Sequence, residues 1–144
     1  MLIRREYVLE LEYKIILSKR RLEVAYERLG VAEHLVEYGE YKTAANRLYY
    51  AVFASMKAVL ALEGFDSKKH SGIISRFRQN YVKTGVFESR LSAIIDDLEV
   101  VREDSDYDDF YVISKADIEN QIINAKFFVS SVEDYLKEKY KEND

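Results

Sequence analysis

AANRLYYAVFASMKAVL, residues 44–60, decides how this chain folds. Ala45, Leu48, Val52, Met56 and Val59 recur at spacings of three and four, which draws one apolar stripe along a helix. Ala44, Ala51, Ala54 and Ala58 draw a second stripe of small side chains, which lets another helix come close. Two neighbouring apolar faces predict a central helix, from about Lys42 to Glu63, with Gly64 as its stop. Arg47 interrupts the pattern. A buried guanidinium is costly unless it is paired, so Arg47 is expected to meet a carboxylate, and the acidic segment 103–109 is the candidate.

The segments on either side of this helix read the same way. Leu11, Ile15, Leu22, Ala25, Leu29, Ala32 and Val36 predict a long first helix over Arg4 to Glu37, with a kink or a close helix contact at Gly30. After "DSKKHSG", where Asp66, Ser67 or Ser71 are capping candidates, a basic helix over Ser71 to Val82 turns Ile73, Ile74, Phe77 and Tyr81 inward. A fourth helix, Glu88 to Glu103, buries Leu91, Ile94, Ile95, Leu98 and Val101 and leaves Arg102 at the edge of that face. Ser114 with Asp117 marks the start of the last helix, whose seam runs through Ile118, Ile122, Ala125, Val129, Val132 and Leu136 before a charged end expected to fray.

Composition agrees with an all-α bundle of about five helices. The 144 residues include no proline and only five glycines, and 48% are hydrophobic, enough to fill the core of one domain over residues 1–144. The absence of cysteine excludes disulfides, thiolate metal sites and cysteine nucleophiles, and fits a cytoplasmic protein. No apolar run approaches the roughly 20 residues a membrane span needs, and "MLIRREYVLELEYK" is too charged for a signal peptide.

Charge is segregated along the chain. The net charge of −4 argues against non-specific DNA coating. Residues 67–83, however, hold Lys68, Lys69, Arg76, Arg78 and Lys83 with no acid, whereas residues 96–109 hold eight acids and the single base Arg102. His70 lies in the basic turn, where it can act as an acid or base near neutral pH and, with Lys68 and Lys69, can meet a phosphate. His34 reads as a solvated residue. Two distant histidines and no cysteine give no metal site; Asp104, Asp106 and Asp108 alternate like part of a calcium loop but lack its glycine and closing glutamate. Phe77 and Tyr81 share the spacing of Ile73 and Ile74 and belong to the core rather than to a base-stacking face.

Taken together, "AANRLYYAVFASMKAVL", "KKHSGIISRFRQNYVKTG" and "VREDSDYDD", followed by "NAKFFV", resemble the HEPN superfamily, in particular its small prokaryotic branch, over about residues 18–136. The resemblance implies a helical bundle, often a homodimer, encoded beside a small nucleotidyltransferase in toxin–antitoxin pairs. It implies no cofactor. Better-known members are metal-independent ribonucleases with an arginine followed a few residues later by a histidine. Arg102 matches that arginine, but Tyr107 holds the histidine's place, and a phenol that titrates at about 10 is a poor base at neutral pH. The expectation is therefore an RNA- or nucleotide-binding protein. Arg47, Lys68, Lys69, Asp106 and Tyr107 would contact the ligand, with Arg102 at the phosphate and His70 as the imidazole any cleavage requires. The alternative is a non-catalytic interaction module that binds a nucleotidyltransferase or a second copy of itself.

Overall fold

The fold is known from a computed structural model that describes residues 2–143, and every regular element among them is helical. Helix α1 spans Leu2–Glu37, α2 Tyr41–Ala61, α3 His70–Phe77, α4 Arg90–Tyr107 and α5 Lys115–Glu142. A single π-helical turn, Arg78–Val82, continues α3.

Helix α2 is central because its two stripes bury against different neighbours. It packs most extensively along α1 and also touches α3, α4 and α5. Ala44, Ala51 and Ala58 are fully buried and Ala54 nearly so. The α1 side contributes Ala25 and Ala32, also fully buried, so the two backbones lie close enough for side chains of one to bond carbonyls of the other. Ser18 Oγ donates to the Ala58 carbonyl at 2.7 Å, Arg21 Nη1 to that of Lys57 at 3.2 Å, and Arg28 Nη1 to that of Tyr50 at 3.3 Å. Residue numbers rise along α1 as they fall along α2, so the pair is antiparallel.

Below the start of α3, Phe77, Tyr81, Phe87, Phe128 and Tyr135 form an aromatic cluster with ring centroids 5.2–6.3 Å apart. Phe77 and Tyr81 are core residues, as the spacing predicts. The wider π turn keeps Tyr81 on the buried side, where its hydroxyl donates to Glu63. Gly64 takes φ +75°, a left-handed conformation that ends α2 where the sequence puts the stop. At Gly72 a Cβ would meet Ser67 Oγ at 2.5 Å, so this glycine lets the 67–69 turn fold onto the first turn of α3.

Several expectations change. Helix α1 continues unbroken through Gly30, and a Cβ there would meet nothing within 4 Å, so no close contact explains this glycine. Ser71 lies inside α3, whose N-cap is Lys69. Ser114 does cap α5, accepting from Asp117 N at 3.0 Å. Helix α5 extends to Glu142, and within its charged end the Tyr140 hydroxyl lies 2.7 Å from the buried Ser18 Oγ. Helix α4 runs on to Tyr107, four residues beyond the expected end at Glu103, and turns most of the acidic segment into helix.

The close α1–α2 approach has a direct test. Ala58→Leu should overpack the seam and lower stability by about 1–3 kcal/mol, read as a lower urea midpoint at unchanged slope. A variant as stable as the parent would mean that α1 does not close on the alanine stripe.

Candidate functional site

Helix α2 presents Tyr49 on the edge of the core, 2% exposed, where α3 begins and α4 passes. Its ring is a platform. The Arg102 guanidinium from α4 lies over it, 4.6 Å from the ring centroid, in a cation–π contact. The Tyr49 hydroxyl lies 3.3 Å from Nδ1 of His70. The His70 ring in turn rests on Phe53 at 4.3 Å and meets the edge of Tyr50 at 5.7 Å. Arg102 and His70, 32 residues apart in sequence, thus converge on one aromatic residue.

The local sequence explains this placement. Tyr49, Tyr50 and Phe53 sit at i, i+1 and i+4 on α2, so their rings group on one side of the helix. His70 is the first residue of α3, fixed by the turn in which Ser67 Oγ accepts from Lys69 N. Arg102 lies one turn before Asp106, whose Oδ2 accepts from Nη1 at 3.4 Å. The Arg102 side chain is only 16% exposed, and its buried Nε has no hydrogen-bond partner in the protein. One long hydrogen bond leaves most of its five donors available. A cleft of about 490 Å³ lies between α3, the π turn and α4, with Ser71, the neighbour of His70, and Glu99, one turn before Arg102, in its wall.

The electrostatics follow from these neighbours. Burial, helped by the charges of Arg102 and Lys57, holds the His70 pKa below the ordinary histidine value, while Glu99 opposes them. The lowered pKa favours the neutral imidazole near pH 7. Burial, then Glu99, pushes the Tyr49 hydroxyl up to about 12 although Arg102 pulls the other way, so it remains protonated. Where His70 Nδ1–H donates to Tyr49 Oη, Nε2 keeps a free lone pair and can take a proton. In the other tautomer Nε2–H is a donor.

The remaining candidate residues separate. Lys68 and Lys69 are exposed beside His70. Tyr107 ends α4 with 80% exposure and makes no side-chain hydrogen bond among the described residues. Arg47 corrects an expectation: it is exposed and has no ion pair among the described residues, because it shares an open strip of α2 with Thr43 one turn away. The α2 cation that reaches the acidic segment is Lys42, whose Nζ donates to the Asp108 carbonyl at 3.4 Å. Among the described residues no three His, Cys, Asp or Glu side chains group as a metal set, and Asp104 and Asp106 are helical rather than part of a calcium loop. Sequence reasoning missed Tyr49, Phe53 and Glu99 as parts of the site. The two tyrosines with Phe53 one turn on were the available signal, hidden by the apolar stripe beside them.

Fold and site together define a helical bundle that brings an arginine and an imidazole onto one buried tyrosine. The chain belongs to the HEPN domain family, whose model matches residues 18–135. Two Methanocaldococcus jannaschii proteins that bear the name "Putative toxin" are similar to it. One is 31% identical across 90% of this chain and 87% of its own length; the other is 34% identical across 81% and 87%. A Thermotoga maritima protein named "UPF0332 protein" is 28% identical across 79% of this chain and 86% of its own.

The electrostatic influence of Arg102 on His70 can be read directly. Removing the positive charge with Arg102→Gln should raise the His70 pKa, measured by NMR titration of its ring protons. The value should stay below the usual value of about 6.5, because burial is the larger cause. No change would mean that Arg102 and His70 do not share a site.

Proposed function

We propose that this is a toxin-type HEPN protein that binds single-stranded RNA at the Tyr49 platform and cleaves its backbone with His70. The supporting observation is the convergence of Arg102 and His70 on Tyr49, since the motif position after Arg102 holds a tyrosine. The names of two relatives support the toxin assignment.

In this reading the guanidinium of Arg102 takes a non-bridging phosphate oxygen, with Asp106 orienting it. Nε2 of His70 accepts the proton of the ribose 2′-hydroxyl. The 2′-oxygen then bonds to phosphorus as the bond to the 5′-oxygen breaks, and that oxygen takes a proton from water. Arg102 stabilises the charge that builds on the crowded phosphate. Lys68 and Lys69 add positive potential along the strand, and Arg47 and Tyr107 are outlying contacts for a longer RNA.

A specific observation favours a second reading. Tyr107, Phe110 and Val112 are 80%, 93% and 83% exposed, and they flank Asp108 and Asp109 at the end of α4 and in the segment just after it. Exposed apolar side chains among carboxylates suit a protein partner, either a second copy of the chain or a small nucleotidyltransferase with a basic face. The two readings are compatible if the partner caps the site.

Purified protein incubated with cellular RNA tests the first reading. His70→Ala should lower cleavage by about 10²–10⁴-fold and Arg102→Ala by about 10²–10³-fold, with binding also weakened in the arginine variant. Because the base must be neutral and its pKa is depressed, kcat/KM should climb with pH only below about 6.5 and be flat above. Cleavage unchanged in both variants would overturn this assignment.

A further inference from the structure

Between α1 and α2 lies a pocket of about 290 Å³ that the site above does not use. Three cations line it: Arg21 and Arg28 from α1, and Lys57 from α2. Tyr50 and Phe53 form its aromatic wall, and Ala54 leaves space beneath them. Those two rings are also the ones that His70 packs against, at 5.7 Å and 4.3 Å. The histidine is thus joined through Tyr49 to Arg102 and through Tyr50 and Phe53 to the wall of this pocket.

The charge in the pocket is not balanced. Asp66 is shared, with Oδ2 3.2 Å from Arg21 Nη2 and Oδ1 3.7 Å from Lys57 Nζ. Arg28 has no carboxylate within ion-pair distance among the described residues. Its guanidinium is half-buried, lies 5.9 Å from the centroid of the Tyr50 ring, and donates to one backbone carbonyl. A partly desolvated cation without a counter-charge, beside two more cations and one acid, attracts an anion. The volume suits a phosphate with part of a ribose, and the Tyr50 face offers a stacking surface for a base.

We infer that the α1–α2 pocket, through Arg28 and Lys57, is a second phosphate subsite that holds the nucleotide next to the one at Arg102, so that single-stranded RNA runs past His70. This rests on the RNA-binding reading and extends it. Two phosphates gripped at Arg102 and at Arg28 would hold the intervening ribose near His70. Arg21 and Asp66 position Lys57 from below. A purely structural Arg28, latching α1 to α2 through the Tyr50 carbonyl, would instead matter for stability alone.

Two measurements separate these outcomes. In the first, fluorescence anisotropy compares a mononucleotide with a short single-stranded RNA across a salt series, using the whole protein. The RNA should bind more tightly, and Arg28→Gln or Lys57→Gln should remove that gain while leaving mononucleotide affinity and the circular dichroism spectrum unchanged. The salt slope of RNA binding should become shallower by about 0.7, the loss of one phosphate contact on a single strand. Equal effects on both ligands, or an effect on thermal stability with none on RNA, would overturn the subsite.

In the second, pyrophosphate is titrated against Arg102→Gln protein while the Arg28 side-chain N–H resonance is followed by NMR. Saturable shifts at Arg28 are expected, since the pocket does not need Arg102. Their absence would overturn the pocket whatever the RNA result. Shifts at Arg28 from a protein that binds no RNA would instead reject the RNA reading, and with it the subsite's ligand.

Discussion

Burial of α2 on nearly every side is the constraint from which the rest follows. Fourteen of its residues are buried, and each neighbouring helix uses a different part of its surface. The alanine stripe fixes how close α1 can come, and Leu48, Val52, Met56 and Val59 fill the core behind it. With α2 held in this way, the side chains at the rim of its buried surface have little freedom. Tyr49, Tyr50 and Phe53 lie on that rim, so the aromatic platform is as rigid as the core beneath it.

A polar site on such a rim gains its properties from partial desolvation. The Tyr49 ring shields one face of Arg102 without neutralising it, and Asp106 supplies one long hydrogen bond. The guanidinium therefore keeps both its charge and most of its donors. His70 is affected in the opposite sense: the same apolar surface and two nearby cations disfavour its protonation. One aromatic patch thus holds an arginine that stays charged and an imidazole that stays neutral, the pairing that phosphate chemistry near pH 7 requires.

The fold was legible because its signals are local and periodic. The two stripes of α2, the core role of Phe77 and Tyr81, the glycine stop at Gly64 and the Ser114 cap all follow from spacing and residue type. Where the reading failed, a local rule met a distant partner. The acidic run after Arg102 reads as a loop, yet α4 continues through it to Tyr107, and the Arg102–Asp106 pair one turn apart supports the extension. In the charged end of α5, Tyr140 meets Ser18 from α1, a contact that no local pattern announces. Arg47 interrupts an apolar pattern, yet it lies where α2 is uncovered, and a pattern alone does not say how far a neighbouring helix extends.

By itself the sequence determined the helices, their buried faces, the family resemblance and the importance of Arg102 and His70 as isolated cationic candidates. Only the tertiary structure decided that these two meet, because their meeting depends on Tyr49, which belongs to a third helix and contributes a ring face to one and a hydroxyl to the other. The structure alone also revealed the cations of the α1–α2 pocket, since Arg28 and Lys57 each look like an ordinary surface residue along its own helix. Helical periodicity records which face of a helix is apolar. It does not record which helix covers that face, at what register, or which charges are left without a partner when it does.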